Sequence, residues 1–251
     1  MSALWYSLLV LGVGLETVLL WRTHKGGMWR HYPFFVAYVL FVLLRTLVLF
    51  AVMQLRAELY SVLYWRSEIL AVALWFLITW EVFRQSFPKW SAIYRVASNA
   101  LLVVLYGSAI TLVVTGARLG RPLADRVVYP LMERSLGCTQ AISLLLLLIL
   151  ARYYGVSMGR NVRGIAVGFG MFVSISVANF SALELLTSFV PYWRLVRPLS
   201  FLGMLVIWTC ALWTYAPNPS LSSGEIPGSH MKQWGEAWSR TLSVLRKVIE
   251  P

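Results

Sequence analysis

The chain has 251 residues, 59% of them hydrophobic and only 13% charged, and it carries a net charge of +12. Soluble domains run to about 45–50% apolar and about 25% charged residues, so this composition excludes an ordinary soluble protein and points to one built into a membrane. In that setting the excess of Lys and Arg reads as a set of contacts to anionic headgroups, not to nucleic acid.

The predicted elements are all α-helical. At about 20 apolar residues per span, seven transmembrane helices fit, at about 3–21, 34–54, 60–83, 92–115, 127–151, 163–187 and 191–215. The first begins almost at Met1, with no basic stretch before it and no A-x-A site after it, so it reads as an anchor and not as a cleaved leader. Arg22, Lys25 and Arg30 follow it; Arg84, Lys89 and Arg95 follow the third span, and Arg152, Arg160 and Arg163 the fifth. All four lysines fall on this side, against Arg56, Arg118, Arg121 and Arg126 on the other. The positive-inside rule then predicts the N-terminus outside and the C-terminus in the cytoplasm. Residues 1–216 form the membrane domain, and 217–230, rich in Pro, Ser and Gly, form a linker. Residues 231–251 carry Trp234, Trp238, Leu242, Leu245 and Ile249 on one helical face, which predicts a short amphipathic C-terminal helix. That helix would lie on the cytoplasmic membrane surface or dock a cytoplasmic protein partner.

Charges inside spans are costly and are functional candidates by default. Arg45 stands mid-way along span two and Glu68 inside span three. Helical rise puts both roughly 12–14 Å below the outer surface. The short loop between these spans predicts an antiparallel hairpin, with Arg45 facing inward and binding Glu68 through its planar fork. Glu133, Gln140, Glu184 and Arg197 fall in the same outer half. With Arg45 and Glu68 they define a candidate ligand-binding pocket that opens outward. Glu16 and Glu81, in the inner half, read as isolated. The competing reading is that these charges only fix helix register.

Small residues mark span six. Gly164 and Gly168 have the GxxxG spacing, and Gly170, Ser174, Ala178 and Ala182 recur every four residues. Such stripes predict close helix packing within the bundle or, alternatively, a homo-oligomer seam. YWRS at 64–67 and YWRL at 192–195 fit a three-plus-one-plus-three plan of the transporter kind.

Several chemistries are excluded. Cys138 and Cys210 have no Cys or His at metal-ligand spacing, and His24, His31 and His230 all lie outside the spans, so neither a metal site nor haem ligation is expected. There is no H-E-x-x-H and no G-x-S-x-G. Seven helices with the N-terminus outside resemble rhodopsins and G-protein-coupled receptors in topology alone. The last span, PYWRLVRPLSFLGMLVIWTCALWTYA, has no lysine for a retinal Schiff base and no NPxxY, so no family is assigned.

The sequence therefore predicts a multi-pass plasma-membrane protein, of the bacterial inner membrane by its compact loops. No cofactor and no catalytic residue are expected. The leading expectation is a non-enzymatic sensor or receptor-like protein that takes a small ligand from the outer side. A small-solute transporter and an accessory subunit of a membrane complex are the alternatives.

Overall fold

The computed structural model describes residues 3–86, 107, 110, 114, 128–153, 158–185 and 190–216. Six helices are continuous there: α1 (Ala3–Lys25), α2 (Pro33–Leu55), α3 (Ala57–Ser86), α4 (Val128–Tyr153), α5 (Arg160–Leu185) and α6 (Val190–Ala211). The described residues contain no strand. Four stretches are long and apolar enough to cross a membrane: Ala3–Lys25, Pro33–Leu55, Ala57–Ser86 and Arg160–Asn179. The apolar parts of α4 and α6 are shorter, Leu136–Ile149 and Leu195–Ala211. The expected fourth span at 92–115 lies outside the described residues except for 107, 110 and 114, which are helical. The expected linker and tail helix lie outside them as well.

Local chemistry sets the helix ends. After α1, Gly27 takes φ +65°, a left-handed conformation that costs glycine nothing, and a single 3-10 turn (Met28–Arg30) leads on. Pro33 then opens α2, where its fixed φ suits the first turn and its missing N–H is not needed. Tyr32, at the cap position, makes no capping hydrogen bond with its side chain. The cap comes from α3 instead: Glu81 Oε1 accepts from Phe34 N–H at 3.1 Å and Oε2 from Phe35 N–H at 2.8 Å. Glu81 is therefore not isolated; it closes the positive end of a neighbouring helix. At the other end, Arg56 alone separates α2 from α3, which fold back as the expected hairpin.

The described helices close a ring. α1 packs on α2 and α6, α2 on α3, α3 on α5, and α5 on α6; α4 sits outside, against α3 and α5. The closest pairing is α5 on α6. There Gly164 abuts Ala211, and a Cβ on Gly168 would come within 2.8 Å of the Trp208 ring. The GxxxG stripe is thus an internal packing seam. Trp208, fully buried, reaches the centre of the ring and donates Nε1–H to the Ile165 carbonyl at 3.2 Å.

The ring's interior is filled at one end only. Trp208 meets Phe35 edge-on at 4.7 Å and Tyr38 at 6.1 Å, and Trp75 meets Phe169 and Phe172 at 6.0 and 5.8 Å. Polar ties gather at the same end, where α1 finishes and α2 begins. Asn161, fully buried, donates to the carbonyls of Ala211 (3.0 Å) and Thr214 (3.1 Å) and accepts from Ala216 N–H at 2.6 Å. Gln85 donates to the His31 carbonyl at 2.9 Å, His31 stacks on Tyr215 at 4.7 Å, and Arg22 lies 3.7 Å over the Trp213 ring. Beyond Tyr38 and Trp75, toward the Arg56 end, the aromatic filling gives way to a cavity.

Candidate functional site

Three charged side chains meet where the aromatic core stops. Arg45 comes from the middle of α2, Glu68 from α3 and Arg197 from α6. The backbones of α2 and α3 do not run against that of α6, so these long side chains bridge the ring's interior. Glu68 Oε2 accepts from Arg45 Nη2, and Glu68 Oε1 accepts from Arg197 Nη2 at 2.6 Å. One carboxylate is shared between two guanidinium groups.

The sequence predicts the Arg45–Glu68 pairing, but the expected two-pronged bond is divided. Arg45 gives Nη2 to Glu68 and Nε to Ser67 Oγ at 2.9 Å. Ser67 in turn donates to the Tyr64 carbonyl at 2.9 Å, and the Arg45 guanidinium lies 5.0 Å over the Tyr64 ring. Arg45 is thus held from three directions, by a carboxylate, a hydroxyl and an aromatic face.

Burial is graded across the triad. The Glu68 side chain is 2% exposed, Arg45 14% and Arg197 27%. The carboxylate forms the floor and Arg197 the most open edge. Glu68 is the acidic side chain among the described residues that line the cavity.

The cavity beside the triad has a volume of about 340 Å³. Its other walls are largely apolar, including Trp5, Tyr38, Phe50, Trp75 and Phe201. Pro198 also lines it. Lying inside α6, Pro198 removes one rung of the helix ladder directly after Arg197. Ser200 Oγ donates to the Arg197 carbonyl at 2.8 Å.

Gln140 is buried and donates Nε2–H to Thr79 Oγ1 at 3.1 Å; it does not line this cavity. It belongs to the contact between α4 and α3. Glu133 on α4 and Glu184 on α5 lie outside the residues whose side chains are described. Among the described residues, Arg45, Glu68 and Arg197 are the predicted ones that come together.

Sequence reasoning missed the supporting group. Ser67 and Tyr64 precede Glu68 on α3 and could have been found by asking what holds a buried guanidinium. Glu16, read as isolated, is 2% exposed and lines a second cavity of about 220 Å³ next to the first. The described residues contain no cluster of His, Cys, Asp or Glu able to hold a metal ion.

The chain matches no protein-family model, no curated protein and no solved structure.

Proposed function

We propose that this chain spans a plasma membrane seven times, N-terminus outside and C-terminus in the cytoplasm, and acts as a non-enzymatic sensor that binds a small anionic ligand. The single observation that carries the reading is the Arg45–Glu68–Arg197 triad on the wall of an open, otherwise apolar cavity. Two guanidinium groups on the wall of a cavity large enough for a small molecule suit a carboxylate or phosphate ligand.

The bundle offers a route for a response. The triad joins α2, α3 and α6 toward the Arg56 end. The same three elements are tied at the Lys25 end through Glu81, Gln85, His31 and Tyr215. A ligand that draws Arg197 away from Glu68 changes the spacing of α6 from α2 and α3, and stiff helices carry that change to the cytoplasmic loops and the tail helix. The bilayer and a cytoplasmic protein are the partners in this reading.

A transporter is the second reading, and the YWRS and YWRL segments favour it. They precede Glu68 on α3 and overlap the approach to Arg197 on α6, so the repeated letters lead to two partners in one triad.

Native mass spectrometry of protein extracted gently from its own membrane tests the sensor. A small acidic molecule should be retained by the native chain and lost from Arg197→Gln. A second polypeptide in fixed stoichiometry, with no small molecule, would overturn it in favour of an accessory subunit. Solute flux into vesicles that responds to Glu68→Gln would favour the transporter.

A further inference from the structure

The loop between α1 and α2 gathers cations without acids. Arg22 and Lys25 stand in the last turn of α1, and Arg30 closes the 3-10 turn that follows. No Asp or Glu occurs from 17 to 57. No carboxylate pairs with these three side chains among the described residues. Glu81, at the same end, has both oxygens on the Phe34 and Phe35 amides. The three cations meet aromatic rings instead. The Arg22 guanidinium lies 3.7 Å over the Trp213 ring and 5.1 Å over Trp21. Lys25 Nζ lies 5.3 Å over the same Trp21 ring, and the Arg30 guanidinium 5.1 Å over Trp29.

A ring face steadies a cation and leaves its charge in place. A guanidinium stacked by its face still donates from its edge, and that edge fits two oxygens of a phosphate. On Arg22, Nε is buried and has no hydrogen-bond partner, so an anion seated on that edge supplies a missing acceptor. The surroundings select a lipid over a soluble anion. Trp21, Trp29 and Trp213 are each about half exposed, and tryptophans beside Lys and Arg are the side chains that sit at the headgroup level of a bilayer. Leu11, Val18, Trp21 and Lys25 follow one another at spacings of seven, three and four, which is one face of α1. Leu11 and Val18 are exposed. That face runs from apolar to aromatic to cationic, the order of acyl chain, glycerol and phosphate in a phospholipid.

We propose that this loop is a binding site for an anionic phospholipid of the leaflet that meets the Lys25 end. The phosphate takes the edge of Arg22 and the Lys25 ammonium, Arg30 adds a third positive charge, and an acyl chain follows Val18 and Leu11 along α1. The lipid also has a structural effect. The Arg22–Trp213 stack joins α1 to the segment after α6, so a lipid that holds Arg22 steadies that junction. The site lies at the opposite end of the bundle from the triad and does not depend on what the triad binds.

The test uses the full chain in a neutral detergent, with phosphatidylglycerol and phosphatidylcholine of the same acyl chains as probes, read by native mass spectrometry and thermal unfolding. At equal concentration phosphatidylglycerol should be retained about tenfold more than phosphatidylcholine, and it should raise the thermal midpoint more. Lys25→Gln with Arg30→Gln, both at exposed positions, should cut that preference severalfold while the chain stays folded. Adding Arg22→Gln should bring the two lipids level. Arg56→Gln removes one charge at the opposite end and should leave the preference unchanged. Equal retention of the two lipids by the native chain, a preference that survives the double and the triple change, or a loss from Arg56→Gln as large as that from the double change would overturn the site. Inorganic phosphate stabilising the native chain as strongly as phosphatidylglycerol would overturn the lipid in favour of a soluble anion.

Discussion

Arg45 shows how a single costly residue is tolerated. Its charge is shared among Glu68, Ser67 and the Tyr64 ring, and the carboxylate it meets is shared again with Arg197. Removing one member of a buried pair leaves the others uncompensated, which costs about 3–5 kcal/mol. Glu68→Ala takes the shared carboxylate from two guanidinium groups at once and should be the most destabilising single change in the triad. Arg45→Met and Glu68→Leu should each lower the thermal midpoint in detergent. Combined, they should cost less than the sum of the single changes, with a coupling of about 0.5–3 kcal/mol. Strictly additive losses would mean that the pair contributes no coupling. Gln140 makes the contrasting case. It shares the polarity of the triad residues, yet its helix stands outside the ring, and its amide serves a contact with Thr79.

At the scale of elements, two junctions decide where α2 and α6 stand. Glu81 caps α2 from the end of α3, and the hairpin between them is thereby fastened at both ends. Glu81→Ala should leave the Phe34 and Phe35 amides without an acceptor, at a cost of about 1–3 kcal/mol. Hydrogen exchange at those two amides should accelerate. Glu81→Gln keeps one acceptor oxygen and should lose less. The second junction is the glycine seam of α5 against α6. Gly168→Leu would drive a side chain into the Trp208 ring, and Gly164→Val would overlap Ala211. Overpacking of this kind costs about 1–3 kcal/mol. Gly14 on α1 is the control. A Cβ there meets nothing within 4 Å, so Gly14→Ala should be neutral or slightly stabilising, given alanine's better helix propensity of about 1 kcal/mol. Thermal unfolding of the three variants side by side measures the difference.

The described helices form a ring filled at one end and hollow at the other. Asn161, Trp208, Gln85 and the Arg22–Trp213 contact fasten the Lys25 end, while the Arg56 end holds the cavity and the triad. That asymmetry suits a protein that binds at one membrane face and responds at the other. It also ties the proposed topology to a direct test. Single cysteines at Lys25 and Arg56, in a background with Cys138 and Cys210 replaced by Ala, should react oppositely with a membrane-impermeant maleimide on intact cells. Arg56→Cys should label and Lys25→Cys should not; the reverse pattern would turn the protein over and place the cavity of the triad on the cytoplasmic side.

The sequence by itself determined the membrane class, the positions of the described helices to within a few residues, and the Arg45–Glu68 pairing. Each of these is local. Hydropathy and helical period are read along one segment, and Arg45 and Glu68 lie on helices separated by one residue, so chain connectivity alone brings them together. The tertiary structure decided the rest. Arg197 stands 129 residues from Glu68; Glu81 caps a helix whose first turn lies 46 and 47 residues before it; Glu16 faces a space bounded by α1, α2 and α6. Which helix lies beside which depends on shape summed over many side chains, such as glycines at 164 and 168 that let Ala211 and Trp208 approach. No single segment carries that information. The hollow itself exists because the large aromatics Phe35, Tyr38, Trp75 and Trp208 fill one end of the ring, and only their joint arrangement shows where the filling stops.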